Sequence, residues 1–115
     1  MDINMIPKHV EEKIKYLQDF HTAINGKWKL SILITINHGK HRFKDIKESI
    51  PKITSRVLSK ELRDLEANQM ITRTVRDTIP ASIEYRATAY SLTVKPVIEI
   101  MAEWGKKHRK KIAGK

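Results

Sequence analysis

Apolar residues recur along most of this chain at spacings of three and four, the period of a helix with one buried face. The first stripe is Val10, Ile14, Leu17, then Phe20 or His21, and Ile24, and it predicts a helix from about Lys8 to Ile24. Asn25-Gly26 ends it, because both residues tolerate the left-handed conformation at a helix C-terminus. Residues 1–9 ahead of the stripe read as a flexible arm. From Lys27 to His38, the residues Trp28, Leu30, Ile32, Leu33, Ile34 and Ile36 leave almost no polar side, which predicts a central buried helix. Gly39 breaks that helix, and His41-Arg42-Phe43 leaves room only for a very short strand.

The next pattern is two short amphipathic segments around a proline. Phe43, Ile46 and Ile50 fall on one helical face, and Pro51 disfavours helix at Ile50. Thr54 suits the N-cap of a second helix whose apolar residues are Leu58, Leu62 and Leu65. The outer face of that helix carries Ser55, Arg56, Ser59, Lys60 and Arg63, hydroxyls and cations that hydrogen-bond phosphates and base edges. Helix, tight turn and basic helix over residues 43–68 form a helix-turn-helix pattern. The same pattern also describes an ordinary pair of surface helices in a basic protein. Glu61, Asp64 and Glu66 read as a solvated face with internal ion pairs.

The period then changes. Ile71 to Thr78 is rich in β-branched residues, a turn-rich stretch follows from Asp77 to Ser82, and Ser82 to Ala87 reads as a returning strand. This predicts a β-hairpin over residues 71–87, decorated by Arg73, Arg76 and Arg86. A basic hairpin directly after the second helix is the wing of a winged helix, which lies along the DNA backbone or minor groove and shifts the balance toward DNA binding. Thr88 is placed to cap a final helix running to about Lys111, with Leu92, Ile98, Met101 and either Trp104 or Ile100 on its stripe. Pro96 falls inside it and is expected to bend it.

Composition narrows the class. The chain of 115 residues is one domain by length, and its net charge of +10 points to a polyanionic partner. It has no cysteine, which excludes disulfides, thiol nucleophiles, thiolate metal sites and thiol-based sensing. The N-terminal residues lack the layout of a signal peptide and no apolar run approaches a membrane span, so a cytoplasmic protein without membrane contact is expected. The histidines, His9, His21, His38, His41 and His108, are scattered, and neither a phosphate-binding glycine loop nor a nucleophile elbow is present. No enzyme, metal site or cofactor is expected. The tail from Lys106 to Lys115 reads equally as a solvated helix end whose cations suit the helix dipole or as a DNA contact.

Taken in order, these residues resemble the HxlR-type winged-helix transcription regulators of bacteria and archaea, from Gly26 to Gly105. Gly26-Lys27-Trp28 with Ile32-Leu33, Arg42-Phe43 with Ile46, and Ile53-Thr54 followed by Leu58, Leu62, Leu65 and Glu66 are similar to successive elements of that family. So are Thr72-Arg73, Pro80 with Ile83-Glu84-Tyr85, then Thr88, Pro96 and Trp104-Gly105. The chain departs from the family's usual residues at Gln69 and Ser91, where glycine is common, and at Ala87, where leucine is. The turn at Gln69 must therefore be made another way, with Asn68 as the candidate for the left-handed residue. Many members sense thiols or aldehydes through an N-terminal cysteine, and that property does not carry over.

The expectation is a single winged-helix domain over residues 1–115, mainly α with a small β-hairpin. The resemblance implies a homodimer whose interface is built from the first and last helices, residues 10–24 and 88–111. Both apolar stripes suit that role independently. The expected partner is double-stranded DNA, bound as a pseudo-palindrome. Thr54, which opens the helix, is a candidate DNA-binding residue, and Ser55, Arg56, Ser59 and Lys60 are the candidate groove contacts, with Arg56 as base reader. Arg42, Lys52, Arg63, Arg73 and Arg76 are assigned to phosphates. Rival readings are a non-specific architectural protein and a winged helix that binds protein or RNA. A cavity between the central helix and the dimer helices could take a small-molecule effector, but no residue identifies one.

Overall fold

The computed structural model describes residues 6–24 and 26–114. Along them run α1 (Lys8–Ile24), α2 (Lys29–Asn37), α3 (Phe43–Ser49), α4 (Ser55–Ala67), β1 (Ile71–Arg76), β2 (Ser82–Ala87), a 3-10 segment (Tyr90–Val94) and α5 (Lys95–Ala113). β1 and β2 pair antiparallel, with Ile71 opposite Ala87 and Arg76 opposite Ser82. Mainly helical with one hairpin, this is the winged helix-turn-helix architecture expected. Of the arm, residues 1–5 lie outside the described residues, as does Asn25, while Lys8 and His9 already belong to α1.

The apolar stripes meet in one core. Ile32, Leu33 and Ile36 of α2 pack with Ile46 of α3, Ile50 and Ile53 around the turn, and Leu58, Leu62 and Leu65 of α4. Ile24 closes one side and Met70 and Ile71 another. Full burial of each such side chain is worth about 1.5–3 kcal/mol, so α3 and α4 are held by the core more than by their own short lengths. The core is built around α2, but α2 is not buried all round: Ile34 stays 42% exposed. The helix also starts two residues later than its apolar pattern suggested, with Trp28 as N-cap and the Lys27 ammonium lying 4.7 Å from the centre of the Trp28 ring.

Two helices end in the same way. After α2, Gly39 adopts φ +96°, its N–H bonds the carbonyl of Ile36 at 3.0 Å, and Lys40 N–H reaches Thr35 at 3.3 Å. After α4, Gln69 adopts φ +62°, its N–H bonds Glu66 at 3.0 Å, and Met70 N–H bonds Leu65 at 2.9 Å. Both are Schellman motifs, and burial of Met70 supplies the hydrophobic contact that accompanies the second. The left-handed residue is therefore Gln69 itself. Asn68, at φ −91°, stays near the helical region and turns its side-chain amide onto the Asp64 carbonyl at 2.9 Å.

The C-terminal segment differs from expectation. Thr88 does act as a cap, accepting the Ser91 N–H at 3.0 Å, but what it caps is the 3-10 segment. The same hydroxyl donates to the Gln69 carbonyl at 2.7 Å, tying the end of the wing to the end of α4. α5 then starts afresh at Lys95, with Pro96 in its first turn. A proline there removes an N–H that has no helical partner anyway, so it starts this helix without bending it. No described residue of α5 is buried, and Ile24 alone is buried on α1. β1 ends at Arg76, short of Thr78, and His41 forms no strand. Instead, Tyr85 N–H bonds the His41 carbonyl at 2.7 Å and His41 Nδ1 lies 3.1 Å from the Tyr85 carbonyl, anchoring the α2–α3 link to β2.

Candidate nucleic-acid interface

The start of α4 is fixed by its cap: Thr54 is extended and its Oγ1 accepts the Val57 N–H at 3.2 Å. From that start, Ser55, Arg56, Ser59 and Arg63 fall within an arc of roughly 100°, at about 100° per residue. Leu58, Leu62 and Leu65 anchor an adjoining side of the helix in the core, so Ser55 and Ser59 flank the buried seam while Arg56 and Arg63 point farthest from it. Ser55, Arg56 and Arg63 are exposed and Ser59 is half-buried. Lys52 projects from the turn before α4 at φ +68°, a conformation that costs a non-glycine residue about 1–2 kcal/mol. Arg42 is exposed at the N-cap of α3.

α4 and the wing enclose a cleft of about 400 Å³, lined by Ser59, Leu62, Arg63, Glu66, Arg73 and Tyr85. Arg63 comes from the helix and Arg73 from β1, opposite Tyr85 of β2. Neither arginine has an ion-pair partner among the described residues. The fold thus brings two unpaired guanidinium groups, distant in sequence, to the walls of one groove beside the outward face of α4.

Two of the candidate cations are engaged within the protein. Arg76 Nε donates to Glu84 Oε2 at 2.6 Å, and Arg86 stands 3.6 Å from the same oxygen. The Arg76 hydrogen bond, aided by both positive charges, holds the Glu84 carboxyl below its ordinary value of 4.5 against some desolvation. Lys60 Nζ donates to Asp64 Oδ2 at 2.9 Å and lies 3.6 Å from Glu61. That bond and the neighbouring negative charges raise the Lys60 ammonium above its ordinary 10.5. Asp64 is lowered from 3.8, first by Lys60 and then by Lys29. For Lys60 or Arg76 to grip a phosphate, each must exchange a carboxylate for it.

Glu61 and Asp64 do not form a purely solvated face. Lys29, on the first turn of α2 and only 5% exposed, places Nζ 2.6 Å from Glu61 Oε2 and 3.3 Å from Asp64 Oδ2. That Lys29 is the one charged residue of α2 was the only local hint. Its partners lie 32 and 35 residues away, beyond the reach of any periodic pattern.

Among the described residues there is no cluster of three or more His, Asp or Glu suited to a metal ion. None of their helices is long and apolar enough to cross a membrane.

Comparison with known proteins agrees with this arrangement. An HTH-type transcriptional regulator of Methanothermobacter thermautotrophicus is 41% identical over 95 residues, covering 80% of this chain and 72% of that one. The Bacillus subtilis regulator YtcD is 35% identical over 92 residues, covering 80% and 73%. Among solved structures, that of ytcD superposes with a TM-score of 0.76 at 33% identity, over 82% of this chain and 96% of the other. The redox regulator HypR in its reduced form gives 0.78 at 32% identity, over 87% and 99%. Residues 23–113 match the family described as HxlR-like helix-turn-helix. With its capped, outward-facing α4 and the wing beside it, the chain belongs to the HxlR-like helix-turn-helix family of transcription regulators.

Proposed function

We propose that this protein is a sequence-specific regulator that binds double-stranded DNA as a homodimer. The observation that carries this reading is the exposed Ser55 and Arg56 on α4, with half-buried Ser59 beside them at the edge of the Arg63–Arg73 cleft. α4 enters the major groove, and Arg56 reads a base because guanidinium pairs bidentately with guanine O6 and N7. Ser55 and Ser59 make shorter groove contacts. Arg63 and Arg73 hold the backbone where it passes between α4 and the wing, while Arg42 and Lys52 hold it beside the turn. Lys60 and Arg76 join by exchanging their carboxylate partners for phosphates, at some cost to affinity.

The dimer reading rests on unpartnered apolar surface. Ile14 and Leu17 on α1, and Ile100, Met101 and Trp104 on α5, are all exposed. Large exposed apolar patches on a charged domain mark interaction sites, and a two-fold pairing buries the same stripes from both copies. Such a dimer presents two α4 helices to sites about 34–36 Å apart. Ile34, Asn37 and His38 of α2 and Lys95, Ile98, Glu99 and Ala102 of α5 line a crevice of about 250 Å³, which suits a small effector of unassigned identity.

The test is fluorescence anisotropy on the DNA upstream of the protein's own gene and on a scrambled duplex, at several salt concentrations. A preference of about 10³-fold or more that persists as salt rises is the expected result. Equal binding to both, falling steeply with salt, replaces this reading with that of an architectural protein that only grips phosphates.

A further inference from the structure

The buried lysine of α2 has no part in the contacts proposed above, yet it touches the helix that makes them. The leucine seam of α4 is apolar, and apolar packing is non-directional. Close packing of Leu58, Leu62 and Leu65 in the core limits large rotations of α4 about its axis but supplies no directional bond. A rotation of about 20° moves a side-chain tip roughly 6 Å from the axis by about 2 Å, more than a hydrogen bond tolerates. A directional contact to the side of α4 therefore sharpens the angle at which the helix presents its outer face.

Lys29 supplies that contact. Its ammonium lies against two carboxylates one helical turn apart, Glu61 at 2.6 Å and Asp64 at 3.3 Å. The Lys29 and Glu61 side chains are only 7% and 12% exposed, so the pair is screened little by solvent. The cluster then runs outward, since Lys60 bonds Asp64 at 2.9 Å and stands 62% exposed beside the groove-facing arc. Two ammonium groups and two carboxylates balance, so Glu61 and Asp64 add no net negative charge to that side of α4. Removing Lys29 alone leaves a nearly buried Glu61 with only the exposed Lys60 at 3.6 Å.

We infer that Lys29 is a positioning residue that pins α4 at one rotation about its axis and thereby sets the base-reading geometry of Arg56. This rests on the sequence-specific reading proposed above. Lys29 touches no DNA in this scheme and acts through Glu61 and Asp64.

The test pairs Lys29→Met with Glu61→Gln, because the double variant leaves no charge stranded in the interior. Its control is Ile36→Ala, a core truncation that lowers stability without touching the cluster. Two quantities are read. One is the affinity ratio between a duplex selected from a random pool and a scrambled duplex, well below the unfolding temperature. The other is amide hydrogen exchange in α4 relative to α3 in the free protein. The double variant is expected to lose at least tenfold in the ratio, to bind scrambled duplex within twofold of wild type, and to exchange at least tenfold faster in α4. Ile36→Ala is expected to keep the ratio. A double variant that keeps the wild-type ratio overturns the assignment, as does an equal loss in Ile36→Ala. If the wild-type protein itself shows no preference, the sequence-specific reading fails and the exchange of α4 alone decides whether Lys29 pins it.

Discussion

Trp104 offers the sharpest test of the homodimer. It sits in the middle of α5, 66% exposed, between Ile100 and Met101 on one side and His108 on the other, whose ring stacks on it at 4.9 Å. Nothing in the core depends on it, so Trp104→Ala removes surface without opening a cavity. An aromatic side chain of this size buries up to about 250 Å², and two-thirds of that at about 25 cal/mol per Å² gives an upper value near 4 kcal/mol per copy. Association recovers only part of such area, and about 2 kcal/mol per copy matches an interface hot spot. Two-fold symmetry counts the loss twice, so the dimer Kd is expected to rise about a thousandfold. Analytical ultracentrifugation across nanomolar to micromolar concentrations measures it, with circular dichroism confirming helix content. A Trp104→Ala protein that dimerises as tightly as wild type refutes the placement of α5 in the interface. A wild-type protein that stays monomeric at micromolar concentration refutes the dimer itself.

Further expectations follow from the site and the turns. Arg56→Ala should cost about 1–3 kcal/mol on the preferred duplex and relax preference at one base pair, whereas Lys52→Ala should weaken all duplexes alike; uniform loss in both shows that Arg56 reads no base. Gln69→Gly should stabilise the fold by about 0.5–1 kcal/mol in urea unfolding, since glycine relieves the left-handed strain at φ +62° but gains freedom in the unfolded chain. No gain there would mean that the Schellman turn carries no strain. Asp64 and Glu84 are held below their ordinary values of 3.8 and 4.5, so the stability they contribute is complete above those values and is lost as pH falls through the depressed ones. Thermal unfolding between pH 5 and about 2 should accordingly show a shallower acid decline in Glu84→Gln than in wild type, and identical slopes would exclude the Arg76 pair as its source.

Periodicity was a good guide wherever an element buries one face. The stripe Leu58, Leu62, Leu65 and the cap Thr54 located α4 closely, because a cap acts over three residues and a stripe over a few turns. It misled where local rules admit two outcomes. Pro96 is compatible with a bend inside a helix or with the start of one, and the separate 3-10 segment capped by Thr88 decided for the second. A left-handed residue was needed after α4, and Asn68 had the better intrinsic tolerance. The Met70 and Gln69 bonds back to Leu65 and Glu66 nevertheless require it one residue later.

The chain's own residues thus determined the kind of object it is. Helical periods, the switch to a β-branched hairpin and a net charge of +10 define a basic winged helix, and its 115 residues include no cysteine. Those properties depend on neighbours a few residues apart or on simple totals, both of which can be read along a line. Tertiary structure decided which charges are available. It sank Lys29 against Glu61 and Asp64, tied Lys60 and Arg76 to carboxylates, and brought Arg63 and Arg73, unpaired among the described residues, to one cleft. Only folding sets the distance between groups tens of residues apart, and at these few ångströms distance governs whether a cation is bound within the protein or left for a partner.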